Sequence, residues 1–519
     1  MTYVSFPHFA ERDAEAVAVI DPDGVRWSRA RLARLASRIS RALCAAGLEP
    51  EDAAAIVAPN CAEYLAVYFA AIDAGLRVVP VNWHLAEEEL AFVLADSETK
   101  AVFVHARLGA ARLASVRRAA ARCEVAVSIG AAHGFTPLED FVAAAEPRPL
   151  APRPAGRVMP YTSATTGRPK GVLLPTRNAA AALERIVAWH TSLGIEVEAG
   201  NVHLCASMLY HSAPLEGAVT ALHMGHAVVL VHRFHPEDVL ALIERHAVTT
   251  SFMVPAMFVR LVKLPARVRR RYSTGSLRFV VHGGAPCPIE IKKRMLEWWG
   301  PIVWESYGAA EAQGVIVSPS DWLEAPGTVG KPISGSGIKI LDERGRELRP
   351  GEIGLVYLKP HTGDRFEYKG DPEKTRDAYR GDFITVGDLG YVDEQGRLFI
   401  CDRRADLIVS SGMNIYPAEI EQALLEHPAV EDCAVCGVHH DLFGQVPKAF
   451  VKVAIGAAPG PALTAALLDF LARRIAAMKL PRRIEYRQEI PRDPTGKLYR
   501  RRLREEDEHG DASAAERES

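Results

Sequence analysis

From Ser28 to His105 the chain alternates between two kinds of segment, and that alternation leaves few folds open. The stretch "SRARLARLASRISRALCAAG" spaces its apolar residues at the helical period. It opens on Ser28 and stops at Gly47, which predicts an amphipathic helix with both ends marked. "DAAAIVAP" is a short apolar run of strand length. The helix "EYLAVYFAAIDAG", the strand "RVVPVN", the helix "AEEELAFVLADS" and the strand "KAVFVH" follow in order. Strands that alternate with helices predict a parallel sheet covered by helices. The alternation resumes after "YTSATTGRPKG", at Tyr161 to Gly171, and runs to about Gly314. A proline-rich connection, residues 143–157, joins the two halves.

From about Gly327 the pattern changes. "GIKILDERGRELRPGEIGLVYLKP" alternates apolar and polar residues around glycine turns, and "LGYVDEQGRLFICD" predicts a hairpin turning at Glu394 to Gly396. Together they predict a small antiparallel β unit. After "DRRAD" a new small α+β pattern begins, with a boundary at 402–406. It has a helix from Pro417, strands in "VEDCAVCGV" and "KAFVKV", a helix in "PALTAALLDFLARRIAAM" and a strand in "RRIEYRQ". The final run, "REEDEHGDASAAERES", is almost without apolar residues and is expected to be disordered.

At 519 residues the chain is longer than one hydrophobic core usually serves. A formal net charge of −2 gives no global attraction to nucleic acid or to an anionic membrane. The start, "MTYVSFPHFAERDAE", lacks the basic and apolar runs of a signal peptide. The most apolar window, around "AAAIVAPNCAEYLAVYFAAIDAG", is broken by Pro59, Asn60, Glu63 and Asp73, so no membrane span is expected. Eight cysteines over this length make no disulfide framework. The pair Cys433 and Cys436 reads as two small apolar residues in a strand, since no second pair completes a zinc site. A reducing cytoplasm fits this usage.

"YTSATTGRPKG" has the small, hydroxyl-rich, glycine-punctuated composition of a phosphate-holding loop. It is not a Walker A loop, because Lys170 follows Pro169 rather than a glycine. Four further stretches follow it: "GGAP" at 283–286, "YGAAE" at 307–311, "GDLG" at 387–390 running on into "DRRADLIVSSGMNIYPAEIE", and "PRDPTGK" at 491–497. This ordered series resembles the motifs of the adenylate-forming superfamily of acyl-CoA synthetases, peptide-synthetase adenylation domains and luciferases. The resemblance covers residues 10 to 504, and the chain is most similar to fatty-acid or aryl-acid CoA ligases.

The resemblance implies a multidomain α/β fold. A large N-terminal domain (1–402) would hold two helix-covered, mainly parallel sheets and a small β-barrel-like unit. A hinge at 403–405, centred on Ala405, would lead to a small mobile α+β C-terminal domain (406–505) and a disordered tail (506–519). The implied chemistry is attack of a carboxylate on the α-phosphate of ATP, release of pyrophosphate, and transfer of the acyl group to the thiol of CoA. Two anions must meet, so the site needs donors and positive charge where charge develops.

Residue by residue, Thr162, Ser163, Thr165, Thr166, Gly167 and Lys170 match the loop that grips the outer phosphates. Gly283, Gly284 and Ala285 match one wall of the adenine slot, and Tyr307, Gly308 and Ala310 match the other. Asp388 and Arg403 match the ribose site. Glu311, with Thr162, matches the magnesium site, a hard carboxylate for a hard cation. Lys497 matches the catalytic lysine of the small domain, joined in catalysis by His211 and Glu311. Tyr210, His211, Ser212, Phe252, His282 and Ala309 match the acyl pocket, and Gly412 matches the turn beside the CoA tunnel.

Some positions depart from the pattern. Ala164 stands where the loop usually has glycine, Ala310 replaces the usual threonine, Ala405 holds a hinge position that is commonly Asp or Lys, and Gln445 stands where glutamate is frequent. The expected co-substrates are ATP with Mg2+, CoA and a carboxylic acid, with no nucleic acid and no integral membrane association. A carrier-protein phosphopantetheine is the alternative acceptor. A more remote alternative is activation of a non-carboxylate such as nitrite for diazotisation of an aryl amine.

Overall fold

The computed structural model describes residues 5–507, apart from 152, 163–168, 176–178, 199, 333–334, 361–364, 412, 441, 493–497 and 501. Within them the chain divides into two compact units. One comprises Met1–Met253, Leu264–Val281 and Gly363–Ala378; the other comprises Val254–Lys263, His282–Thr362 and Tyr379–Ser519.

The first unit carries the expected alternation. The helix Arg29–Ala45 begins where Ser28 caps it, the serine Oγ accepting the N–H of Arg31 at 3.2 Å. The strand Ala53–Val57 is buried along its whole length, which explains its unbroken apolar run. It lies at the centre of an all-parallel sheet in the order 136–137, 125–129, 99–105, 53–57, 77–80, 157–158. The helices Ala62–Asp73 and Glu87–Asp96 connect its strands. A second run of strands has the order 26–28, 17–20, 227–230, 202–205, 250–253 and is parallel except at its first pair. Cores line the parallel sheet on both faces: Ala54, Ile56 and Phe103 belong to one apolar cluster, Ala55, Val57 and Val104 to another.

In the second unit most strands are antiparallel. Val303–Gly308, Gln313–Val317, Thr328–Pro332, Leu398–Arg403, Asp388–Val392 and Gly354–Lys359 pair in that order. The hairpin expected around 394–396 is present, Val392 pairing with Leu398 across its turn. With Gly337–Leu341 paired to Gly354–Lys359, these strands form the small antiparallel β unit expected from the sequence. From Ile408 a separate five-stranded sheet begins, in the order 413–415, 408–410, 444–453, 430–440, with 483–486 added parallel to 444–453. The helices Pro417–Leu425 and Pro461–Ala472 cover it, Ile420, Leu424, Leu467 and Leu471 being fully buried.

Two sequence expectations need correction. The tail was expected to be disordered from its first residues, yet residues 502–507 are helical and Asp507 pairs with the buried Lys448. An ion pair and a buried Leu503 hold what composition alone would leave loose. The helix expected to reach Met478 ends at Ala472, where the Arg474 guanidinium stacks 3.5 Å over Phe470 and pairs with Glu426. Cys433 and Cys436, on the strand Val430–His440, face different apolar clusters, as positions three apart on a strand must, and neither is in a disulfide.

Candidate active site

Among the described candidates, those of the second unit form the tightest group. Tyr307 lies near the end of the strand Val303–Gly308. Its hydroxyl donates to Asp388 Oδ2 at 2.7 Å. Asp388 opens the strand Asp388–Val392, is buried, and lies directly across the ladder from Arg403. The Arg403 Nε is 3.5 Å from Asp388 Oδ1. Burial of its phenol, and then the Asp388 carboxylate beside it, push the pKa of Tyr307 well above its ordinary value. The tyrosine therefore stays a donor at any physiological pH. A carboxylate has about four acceptor positions, and the tyrosine hydroxyl uses one of them.

The glycines are placed by steric need. A Cβ on Gly283 would lie 2.6 Å from the Ser306 carbonyl oxygen and 2.8 Å from its Oγ. The Ser306 Oγ donates to the carbonyl of His282 at 3.3 Å. The glycine turn is thus pressed against the backbone one residue before Tyr307. A methyl group on Gly314 would collide with the Tyr307 carbonyl oxygen. These contacts leave no room for a side chain at Gly283 or Gly314.

After Gly308 the chain turns sharply. Ala309 and Ala312 exchange backbone hydrogen bonds at 2.8 and 3.2 Å, so Ala310 and Glu311 form the tip of the turn before the strand Gln313–Val317. Glu311 is buried there. Among the described residues no three His, Cys, Asp or Glu side chains converge to hold a metal. A single carboxylate suits Mg2+, which keeps waters and takes its other ligands from substrate phosphates. Asp388, the glycine turn and Glu311 are residue types that fit a magnesium nucleotide.

In the first unit the strands Tyr161–Thr162 and Lys170–Leu173 pair antiparallel, Thr162 opposite Lys170. They form the base of the hairpin whose loop, with Ser163, Thr165, Thr166 and Gly167, lies outside the described residues. Tyr161 donates to Asp96 at 2.6 Å, and its ring packs on Gly171, where a Cβ would lie 3.0 Å away. The Lys170 ammonium lies 5.2 Å from the centroid of Tyr368, on the strand paired with Lys170–Leu173. The rings of Tyr210 and His211 lie 4.5 Å apart and tilted by 49°, and His211 stands just before the helix Ser212–His223. Phe252 lies on the strand Thr250–Met253 beside Cys205.

Ala405 lies in the one-turn helix Arg404–Asp406, and its carbonyl accepts from Arg504 at 3.3 Å. Asp406 takes Arg500 at 3.1 Å and Arg504 at 3.2 Å. Asp402, just before, is pushed up to about 6 by burial, against the lowering influence of Arg500. Lys497 and Gly412 lie outside the described residues. Ser306, Gly314, Lys292 and Glu305 were missed by sequence reasoning. The acidic Glu305 in an apolar strand, two residues before Tyr307, was the signal available for the last pair.

The family described as AMP-binding enzyme matches residues 6–362, and the AMP-binding enzyme C-terminal domain matches residues 419–497. The chain is 33% identical to a fatty acid–[acyl-carrier-protein] ligase, ScoC, of Streptomyces coeruleorubidus, over 92% of this chain and 90% of that one. It is 33% identical to a 2-succinylbenzoate–CoA ligase of Geobacillus kaustophilus, over 94% and 95%. Its structure is similar to that of the o-succinylbenzoate CoA synthetase MenE of Bacillus subtilis in complex with the acyl-adenylate intermediate, with a TM-score of 0.80 and 29% identity over 96% and 97% of the two chains. With both family regions matched in order along its length, the chain belongs to the AMP-binding enzyme family.

Proposed function

We propose that this chain is an ATP-dependent acid–CoA ligase. The observation that carries the reading is the Tyr307–Asp388–Arg403 assembly set against the Gly283–Ser306 contact. In this reading the Tyr307 ring and the 283–284 backbone hold the adenine. Asp388 accepts the ribose hydroxyls, and Arg403 holds the carboxylate in place. A carboxylate oxygen of the acid attacks the α-phosphorus, and the bond from that phosphorus to the bridging oxygen of pyrophosphate breaks. Lys497 neutralises the charge that accumulates between acid and α-phosphate, the step at which preorganised charge lowers a barrier most. Residues 162–170 follow the departing pyrophosphate, and Glu311 holds Mg2+. The thiol sulfur of CoA then attacks the acyl carbon, and AMP leaves with the former carboxylate oxygen.

The domain assignment belongs to the same proposal: 1–402 as adenylating body, 403–405 as hinge, 406–505 as mobile domain. The separate sheet that begins at Ile408 supports it. The acyl pocket would include Tyr210, His211, Ser212, Phe252, His282 and Ala309, and Gly412 would border the CoA tunnel. Among the described residues no helix is long and apolar enough to cross a membrane. All eight cysteines are free thiols, which supports a reducing, cytoplasmic setting.

A second reading, loading of the acid onto a carrier-protein phosphopantetheine, is favoured by the name of the ScoC relative. Pyrophosphate release with a panel of fatty and aryl acids, followed by product analysis with CoA and with a carrier protein, tests both. Acid-dependent pyrophosphate with thioester on CoA supports the first reading. Thioester on the carrier alone supports the second, and acid-independent pyrophosphate contradicts both.

A further inference from the structure

Beside the strand that carries Tyr307 lies a buried cluster of Lys292, Glu305 and His282, of which only His282 has a place in the reading above. Lys292, on the helix Ile289–Trp299, is fully buried, and its Nζ donates to Glu305 Oε2 at 2.7 Å. The same ammonium lies 4.6 Å from the ring centroid of Trp322, itself fully buried. His282, also fully buried, brings its Nε2 to 3.5 Å from the same Glu305 oxygen and packs edge-on against Phe258 at 5.1 Å.

The position of each member matters. Glu305 precedes Tyr307 by two residues on one strand, so both side chains project from the same face. His282 immediately precedes Gly283, and its carbonyl receives the Ser306 hydroxyl. One carboxylate therefore ties the helix to the strand of Tyr307, and the His282 imidazole, kept neutral by burial, packs against it without a hydrogen bond and leads into the glycine turn. Burial pushes the Glu305 carboxyl up and the Lys292 ammonium down, and each charge opposes the other's shift.

Such a pair is a poor source of stability, since the cost of desolvating two charges offsets their attraction. Apolar residues of similar volume would pack as well. A charge-assisted hydrogen bond differs from apolar packing in being directional. Its effect falls on the distance and angle between the elements it joins.

We propose that Lys292 and Glu305, with His282 against them, are positioning residues for ATP: they set the spacing between the Gly283–Gly284 backbone and the Tyr307 ring. The inference rests on the reading of these two features as the adenine slot.

The test is calorimetric titration with a non-hydrolysable ATP analogue, which needs no knowledge of the acid, alongside thermal melting. The variants are Lys292→Met, the double replacement Lys292→Met with Glu305→Leu, and Glu305→Gln. Lys292→Met leaves a buried carboxylate unpaired and is expected to lower both stability and analogue affinity. The double variant removes both charges at similar volume. It is expected to melt within about 2 °C of the parent yet bind the analogue about tenfold more weakly. Parental affinity in that variant would overturn the proposal, because the pair would then be purely structural. Should the double variant fail to fold, Glu305→Gln decides. It keeps the volume and an acceptor for Lys292 but removes the charge that strengthens and directs the bond, so it is expected to lose affinity about threefold with melting unchanged, and parental affinity would overturn the proposal. If the parent itself binds no analogue, the adenine reading fails and takes the proposal with it. Equal binding by parent and variants sinks the proposal alone.

Discussion

Tyr307 and Asp388 show how much one hydrogen bond is asked to do. The tyrosine offers a flat face for the proposed adenine, and its hydroxyl orients the carboxylate proposed for the ribose. Tyr307→Phe keeps the ring and deletes the donor. A hydrogen bond to a charged group is worth about 1.5–3 kcal/mol, so nucleotide affinity should fall about tenfold or more while acid affinity is unchanged. Calorimetry with an ATP analogue and with the acid reads the two separately, and equal losses would place the tyrosine elsewhere. The motif residues stand out in the sequence because the proposed phosphate, ribose and purine contacts each demand a residue type at a fixed place in a short stretch. Ser306, Lys292 and Glu305 do not, because their roles exist only through neighbours brought together by folding. His282 is assigned to the acyl pocket by the resemblance. It is fully enclosed beside Glu305 and Phe258, a setting no local pattern announces.

Among the elements, the turn Arg404–Asp406 concentrates the proposal about motion. Its middle residue is alanine, free to move between the α and β regions. The turn is held by Arg504 on the Ala405 carbonyl and by Arg500 and Arg504 on Asp406. Ala405→Pro fixes φ near −65° and disfavours the helical conformation of Arg404 before it. The variant should still release pyrophosphate in a single turnover, while CoA-dependent product falls steeply and adenylate stays on the enzyme. Parental thioester formation by a folded Ala405→Pro protein would show that the hinge lies elsewhere. Elements with a strong period were readable from the chain, from the helix Arg29–Ala45 to the strand Val430–His440. Their ends were less so. The helix Pro461–Ala472 stops short of Met478, where Arg474 pairs with Glu426 and Phe470 meets His427 edge-on, and tertiary contacts override local propensity.

Over the whole molecule, the buried histidines make the first unit sensitive to acid. His203, on the strand Val202–Cys205, is buried with its Nδ1 3.0 Å from Thr250 Oγ1, and burial drives its pKa down to about 3. The unfolded chain takes up this proton near its ordinary value of 6.5, and the folded chain does not. Stability from this group is complete above pH 6.5 and is lost as pH falls toward the folded value. His203→Gln removes the linkage. The stability advantage of the parent over that variant should shrink by about 2 kcal/mol between about pH 7.5 and pH 5, read from denaturant melts at both pH values. A constant difference would mean that His203 takes up its proton in the fold as readily as in the unfolded chain.

The two-step chemistry is the central claim, and the fate of one oxygen atom tests it. Acids from the fatty and aryl panel are labelled in the carboxylate with heavy oxygen and incubated with the protein, ATP, Mg2+ and CoA, and the products are weighed by mass spectrometry. Attack on the α-phosphorus followed by loss of AMP to the thiol predicts one heavy oxygen in AMP and none in pyrophosphate. Label in inorganic phosphate, or AMP without label while thioester accumulates, would contradict adenylate formation at this site.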